Sequence, residues 1–373
     1  MVKLEKETIV AQIGNKKCEK TGAVNMPIYL STAYRHEDLG RSTGFDYTRT
    51  GNPTRDALQE ALAVLEGGYQ AFATSSGMSA IQLVFEKFQT GDHIISIQDV
   101  YGGSFRFFRQ IEAKYQISFS YWDGRALSDL ALLVRPESKA IFIETPSNPL
   151  MRELDLAELA RFAKQHHLLL IVDNTFYTPV FQQPLALGAD IVLHSATKYL
   201  GGHNDVLAGA VIVKDPTLAA FYEETLNAIG CVLAPFDCWL LIRGLKTLYL
   251  RMKQHQENAR AVAAFLAEHP LVQQVLYPGK GGMISFYIQD EKLVSPLLRA
   301  LELFTFAESL GGVESLITYP ATQTHADIPK DVRDAYGLTN QLVRLSVGIE
   351  AKQDLIADLS QGLAKVEAEV GAR

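Results

Sequence analysis

Residues 155–173 read DLAELARFAKQHHLLLIVD, and the fold turns on how this stretch is read. Asp155 stands where a helix cap belongs, Glu158 follows three positions later, and Leu156, Leu159, Ala160 and Ala163 share one face at helical spacing. LLLIVD then stays apolar up to Asp173, without the alternation of a half-solvated strand. A helix feeding a strand buried on both faces is one αβ unit of a doubly wound, mostly parallel sheet.

The same alternation extends from about residue 54 to 245. TRDALQEALAVLEGG predicts a helix, with Leu58, Ala61, Leu62 and Leu65 in register, Pro53 near its start and Gly67 and Gly68 at its end. Beyond 246 the pattern changes to an Ala-rich helix, short strands such as GGMISFYI, and a closing helix after Asp354 with Leu355, Leu359 and Leu363 on one side. The opening segment, with MPIYLSTAYRHEDLG, has little periodicity and reads as an arm packing on something else, such as another subunit. The expected organisation is therefore an arm at 1–53, a large α/β domain at 54–245 and a smaller α/β domain at 246–373.

A chain of 373 residues with 47% hydrophobic content has length for two domains and material for a sizeable core. Its net charge of −7, with cations scattered among the acids, offers no stripe for nucleic acid and no polybasic membrane patch. MVKLEKETIVAQIG carries charges where a secretory signal needs an apolar core, and apolar runs such as VLAGAVIV are too short to span a bilayer, so the chain reads as cytoplasmic. Cys18, Cys231 and Cys238 form no C-x-x-C pair; packing as small hydrophobes is the stronger reading of Cys231 and Cys238, a nucleophile the weaker.

In an open parallel sheet, ligands bind outside the carboxyl ends of strands. Here three such ends carry polar groups: AIFIETPSNP reaches Asn148, LLLIVDNTF reaches Asp173, and ADIVLHSATKYLGGHND leads into Ser195, Thr197 and Lys198. Singly, each has a plain structural explanation, since Asp173 could cap a turn and Lys198 could lie in solvent. Together they suit a cofactor that needs an amine for a Schiff base, a carboxylate to keep a ring nitrogen protonated and donors for a phosphate, which describes pyridoxal 5′-phosphate. Gly201 and Gly202 let backbone pass close by. SSGM, between the apolar stretch and helix of AFATSSGMSAIQLVF, presents amides of Ser76, Gly77 and Met78 at a helix start, an anion cradle.

Competing signatures are missing. No G-x-x-x-x-G-K-[ST] occurs, no G-x-G-x-x-G follows a strand, and PGKGGM reads as a turn into a strand. His194, His203 and Asp205 lack the spacing of a metal site, and Ser195 as a hydrolase nucleophile lacks a G-x-S-x-G elbow. Asp46, Tyr47 and Arg49, in GFDYTRTGNPT, suit a phosphate or a solvated rim equally well.

FDYTRTGNPTR, SSGMSAI, DVYGGSFR, ETPSNP, IVDNTF, HSATKYLGGHND, ESLGGVES and LVRLSVGIE together resemble the Cys/Met-metabolism family of pyridoxal-phosphate (trans-sulfuration) enzymes, nearly end to end. Within it the chain is most similar to cystathionine γ-synthases and O-acetylhomoserine thiol-lyases. The resemblance implies the aspartate aminotransferase-like fold and a homotetramer of two active dimers. It implies that Lys198 carries the Schiff base, Asp173 pairs with the ring nitrogen and Tyr101 stacks on the ring. Phosphate contacts would come from Ser76, Gly77, Met78, Ser195 and Thr197, with Tyr47 and Arg49 reaching in from a neighbouring subunit. Arg344 would grip the substrate α-carboxylate, with Asn148 and Ser315 nearby, while Arg106 and Glu314 would lie toward the side-chain end and Asp46 would be a further substrate-binding residue.

The activity implied is γ-replacement on an O-acylhomoserine, the acetyl ester being expected, with cysteine giving cystathionine or sulfide giving homocysteine, a step of methionine biosynthesis. Cystathionine γ-lyase is the alternative; Asp46, where those enzymes tend to have Glu, favours the synthase. Gly103, where methionine γ-lyases place a reactive cysteine, argues against that activity. A pyridoxal-phosphate-binding regulator without turnover would need neither the electron sink of Lys198 and Asp173 nor the clamp of Arg344.

Overall fold

Asp155 caps the helix Leu156–Gln165 by accepting the Glu158 N–H at 2.9 Å, and the strand that follows ends at Asp173, as the pattern predicts. The computed structural model describes residues 4–15 and 18–371; positions 1–3 and 16–17 of the expected arm and 372–373 of the expected small domain lie outside them. The predicted second helix is Pro53–Glu66. Its cap is Asn52, which accepts from the Thr54 and Arg55 amides, and Gly67 closes it with a φ of 72° that suits glycine. The arm holds a short helix, Lys6–Ala11, which its sequence does not announce.

Strands run at β1 Gln70–Thr74, β2 His93–Ile97, β3 Ser118–Trp122, β4 Ser138–Glu144, β5 Leu169–Asp173 and β6 Ile191–His194. They continue at β7 Gly209–Val213, β8 Val272–Leu276, β9 Met283–Ile288, β10 Thr305–Phe306, β11 Leu316–Thr318 and β12 Leu342–Ser346. The fold is α/β, with a mostly parallel central sheet and a second, smaller sheet. Every residue of β2, β6 and β7 is buried, and β6, up to His194, and β7 accordingly read as continuous apolar runs.

By packing, the chain divides into two compact units, one of residues 1–89 with 169–249, the other of 90–168 with 250–373. The sequence division at 53/54 and 245/246 follows changes of pattern along the chain, and these units follow contacts. In the first unit β1 pairs antiparallel with β7, β7 antiparallel with β6, and β6 parallel with β5, setting Asp173 opposite Leu193. In the second, β2 lies parallel to both β3 and β4, and the smaller sheet runs β10-β11-β12-β9-β8. Among the described residues no helix is long and apolar enough to cross a membrane.

The closing helix Lys352–Gly371 buries Leu355, Leu359 and Leu363 completely in the cluster that holds Val343, Leu345, Ile284 and Phe286. Each such side chain contributes about 1.5–3 kcal/mol of burial, and the ensemble fixes β12, the strand that carries Arg344. His255, fully buried on the helix Leu248–Glu268, donates its Nδ1–H to the Val347 carbonyl at 2.7 Å. Burial lowers its pKa from 6.5 to about 4. The unfolded chain therefore takes the proton first, so the stability this ring contributes is full above pH 6.5 and is lost as pH falls toward 4. The loss amounts to about 3 kcal/mol from this residue. Thermal melts from pH 7.5 to 4.5 should show a falling midpoint in the native protein and a shallower fall in His255→Asn; parallel curves would contradict the assignment.

Candidate active site

In the first unit, β6 ends at His194 and the chain turns through Ser195 to Gly201. Lys198 sits in that turn, half-buried, its N–H donated to the Ser195 carbonyl at 3.2 Å and its own carbonyl accepting from Gly202 at 2.8 Å. Asp173 ends the neighbouring strand. Part of the residue is accessible, yet its carboxyl lies deep enough for burial to raise its pKa, with Thr175 donors and the His194 ring pulling it down. Thr175 donates both its N–H (3.0 Å) and its hydroxyl (2.5 Å) to Asp173 Oδ1, while its Oγ1 accepts the Ser195 N–H at 2.8 Å. One threonine thus ties the carboxylate to the turn that carries the lysine.

The helix Gly77–Phe85 begins against the same turn. Ser76 caps it by accepting the Ser79 N–H at 3.0 Å, and the Gly77 and Met78 amides belong to the first turn, which intrahelical carbonyls cannot serve. A Cβ on Gly77 would lie 2.9 Å from Ser195 Cβ, so only glycine brings the helix start this close. Thr197 exchanges bonds with Ala208, donating its hydroxyl to the carbonyl at 3.1 Å and accepting the N–H at 3.0 Å. An amine and a buried carboxylate at the carboxyl ends of adjacent strands, with a helix start against the lysine's turn, fit the aldehyde, ring nitrogen and phosphate of pyridoxal 5′-phosphate.

Other predicted residues of this unit stand elsewhere in it. Asp46 is exposed, accepting from Ser42 Oγ at 2.6 Å and facing His36 Nε2 at 2.9 Å. Arg49 donates to the Asn227 carbonyl and side chain and lies 5.7 Å over the exposed Tyr47 ring. His194 is bonded to Glu66 Oε1 at 2.6 Å, and Asn174 donates to the same oxygen at 2.9 Å, all within the core. His203 donates Nδ1–H to the Gly201 carbonyl at 2.9 Å, and Asp205 is exposed. Burial raises the thiols of Cys231 to about 11 and Cys238 to about 12, which suits packing and not nucleophilic attack.

In the second unit Tyr101 precedes the helix Gly102–Tyr115 and donates its N–H to Glu144 Oε2 at 2.9 Å. Its ring lies over Gly103, where a Cβ would come within 2.4 Å of ring carbon Cε1, so a cysteine there would displace the ring. Burial raises the Tyr101 phenol's pKa, Arg106 and Arg344 lower it, and Glu308 and Glu144 raise it. Arg344, 1% exposed, donates to Asn148 Oδ1 at 2.8 Å, the Ser309 carbonyl at 3.1 Å and Thr318 Oγ1 at 3.3 Å. A buried guanidinium held by an amide, a carbonyl and a hydroxyl is suited to receive a carboxylate.

Asn148 is itself held from behind. His325, 1% exposed, donates Nε2–H to its carbonyl at 3.1 Å and accepts from Thr324 Oγ1 at 2.8 Å, and burial takes the ring's pKa down to about 3. Asp99 accepts from the Ser147 hydroxyl and, at 3.2 Å, from the Leu150 N–H. Ser315 gives its N–H and hydroxyl to Glu350, at 2.6 and 3.0 Å, and accepts the Gly348 N–H at 2.8 Å. Glu314 is exposed, and Arg106 is paired with Asp327. Thr175, Glu66, His325, Glu350 and Asp327 were not singled out in the sequence; only Thr175, two residues after Asp173 in DNT, has a local signal, that of a turn closed by its own side chains.

Residues 7–364 match the model of the family described as Cys/Met metabolism PLP-dependent enzyme. The chain is similar to the cystathionine γ-synthase/O-acetylhomoserine (thiol)-lyase of Bacillus subtilis, at 58% identity over 97% of each chain. It is similar to the cystathionine γ-synthase of Haemophilus influenzae at 54% identity, over 97% of this chain and 98% of that one. A crystal structure of cystathionine γ-synthase from Xanthomonas oryzae pv. oryzae, in complex with aminoacrylate and cysteine, superposes with a TM-score of 0.96. It is 42% identical, covering 98% of this chain and 100% of that one. Cystathionine β-lyases and γ-lyases are relatives as well, at 48% and 47% identity.

Proposed function

The chain belongs to the Cys/Met metabolism PLP-dependent enzymes, and on that premise we propose that it replaces the acyloxy group of an O-acylhomoserine with a thiol. Cysteine gives cystathionine and sulfide gives homocysteine; a carboxylic acid leaves in both cases. The observation that carries the amino-acid part is Arg344, buried with its fork turned to Asn148, Ser309 and Thr318. Replacement in preference to elimination is supported by the greater likeness to synthases than to lyases, and Gly103 under the Tyr101 ring weighs against a methionine γ-lyase.

Its cofactor, pyridoxal 5′-phosphate, supplies when bound an aldehyde that joins an amine and a protonated ring that draws electrons from the substrate. Lys198 Nζ would hold that aldehyde, and Asp173, oriented by Thr175, would keep the ring nitrogen protonated. Amides of Gly77 and Met78, with the hydroxyls of Ser195 and Thr197, would hold the phosphate; Thr197 gives up its bond to Ala208 to do so. Tyr101 would cover the ring. Arg344 would bind the α-carboxylate, aided by Asn148. Lys198 Nζ, freed by the incoming amine, would take the proton from the substrate Cα, hand it on to the bound cofactor, and so be a free base again to take one from Cβ, which expels the ester oxygen from Cγ. The thiolate adds at Cγ and the protons return. Tyr47 and Arg49 would complete the phosphate grip from a second copy in a homotetramer of two active dimers, acting in the cytoplasm.

Arg344→Ala should raise KM by about 10²–10³-fold, since a buried charge-assisted fork is lost, and Arg344→Lys should recover only part of it. An unchanged KM would rule the role out. The reading as a whole is tested by offering acetyl-, succinyl- and phosphohomoserine, each with cysteine or sulfide, and cystathionine alone. Thiol-dependent release of the acid supports replacement. The second reading, a γ-lyase, is favoured by the lyases among the relatives and predicts 2-oxobutanoate from cystathionine alone; no turnover of any of these would leave a binding protein.

A further inference from the structure

The Tyr101 phenol feels two arginines of its own unit, Arg344 and Arg106. They are prepared differently. Arg344 is buried and bonded to neutral oxygens of Asn148, Ser309 and Thr318. Arg106 is exposed, and its guanidinium is bonded to a carboxylate, that of Asp327.

Asp327 is placed there by a folded loop. His325 is anchored to the Asn148 carbonyl at 3.1 Å, its N–H reaches the Pro320 carbonyl at 3.0 Å, and the Ile328 N–H returns to the His325 carbonyl at 3.1 Å. His325 and Ile328, on either side of Asp327, are 1% and 3% exposed. Two buried neighbours thus fix the backbone from which the Asp327 carboxylate meets Arg106.

We propose that Asp327 determines which ester the enzyme accepts: by occupying Arg106 it withholds that cation from a carboxylate at the far end of the acyl group. The enzyme thereby selects uncharged acyl groups, such as acetyl, over acyl groups that end in a carboxylate, such as succinyl. The inference rests on the proposed reading of the site as one for homoserine esters. Its physics is that of a repulsive element: an anionic acyl group must displace Asp327 or lie beside it. An exposed pair is weak enough to be displaced, so the effect is discrimination of about tenfold and not exclusion.

The test compares native holoenzyme, Asp327→Asn, Arg106→Gln and the double variant. Two unreactive amino acids of matched length serve as probes: L-2-aminoadipate, which ends in a carboxylate, and L-norleucine, which ends in a methyl. In Asp327→Asn the aminoadipate Kd should fall by about tenfold and that of norleucine by less than about twofold. The gain should vanish when Arg106 is also replaced, and the kcat/KM ratio of succinyl to acetyl ester should rise by about tenfold in step. An unchanged aminoadipate Kd, or a gain that survives Arg106→Gln, overturns the role of Asp327 while leaving the ester reading intact. Failure of native enzyme to bind either probe or consume either ester overturns both.

Discussion

Lys198→Ala is expected to lower kcat by about 10⁴-fold or more and to remove the visible absorbance of the lysine-bound cofactor. The lysine is asked to do two things, to hold the aldehyde and to move protons at Cα and Cβ, and no neighbouring group in its turn is an amine. The turn itself is built from backbone bonds, Lys198 N–H to Ser195 and Gly202 N–H to Lys198, with Gly201 N–H to Ala196 at 2.9 Å, so the variant should fold. Lys198→Arg keeps the charge without the covalent link and should be as inactive. Retention of a tenth of native kcat in either variant, saturated with cofactor, would contradict the assignment.

Asp173→Ala should lose about 10³–10⁴-fold in kcat while retaining part of its affinity for the cofactor. Burial makes this carboxyl's charge costly, which is why its pKa is raised, and only Thr175 and the His194 ring oppose the rise. A protonated ring nitrogen beside it would supply the missing counter-charge, so carboxylate and ring each favour the other's charged form. Without Asp173 the ring loses its proton and its pull on substrate electrons. The phosphate grip of Gly77, Met78, Ser195 and Thr197 would survive. Asp173→Glu should lose less than Asp173→Ala; kcat within tenfold of native in Asp173→Ala would reject the role.

Local patterns were legible wherever one segment determines its own structure. Asp155 caps its helix, Gly67 ends another, and the buried strands β6 and β7 show as unbroken apolar runs. Asp173 and the Ser195–Lys198 turn could be placed at strand ends for the same reason. Contacts between distant segments could not. His194 and Glu66 meet across 128 positions, and Arg106 and Asp327 across 221, with nothing in either neighbourhood to signal the other. β7 reads as one more buried strand, yet it runs antiparallel to both β1 and β6, a choice made by pairing. Ser315 shows the same limit: its hydroxyl donates to Glu350, 35 positions away, a contact that neither local sequence signals.

The central claim is a covalent bond between the cofactor aldehyde and one particular amine. Borohydride reduction of the purified holoenzyme, followed by peptide mapping, tests it directly. A pyridoxyl group on Lys198 and on no other lysine is the result predicted; label on a different lysine, or no label on a protein that binds the cofactor, would contradict the account.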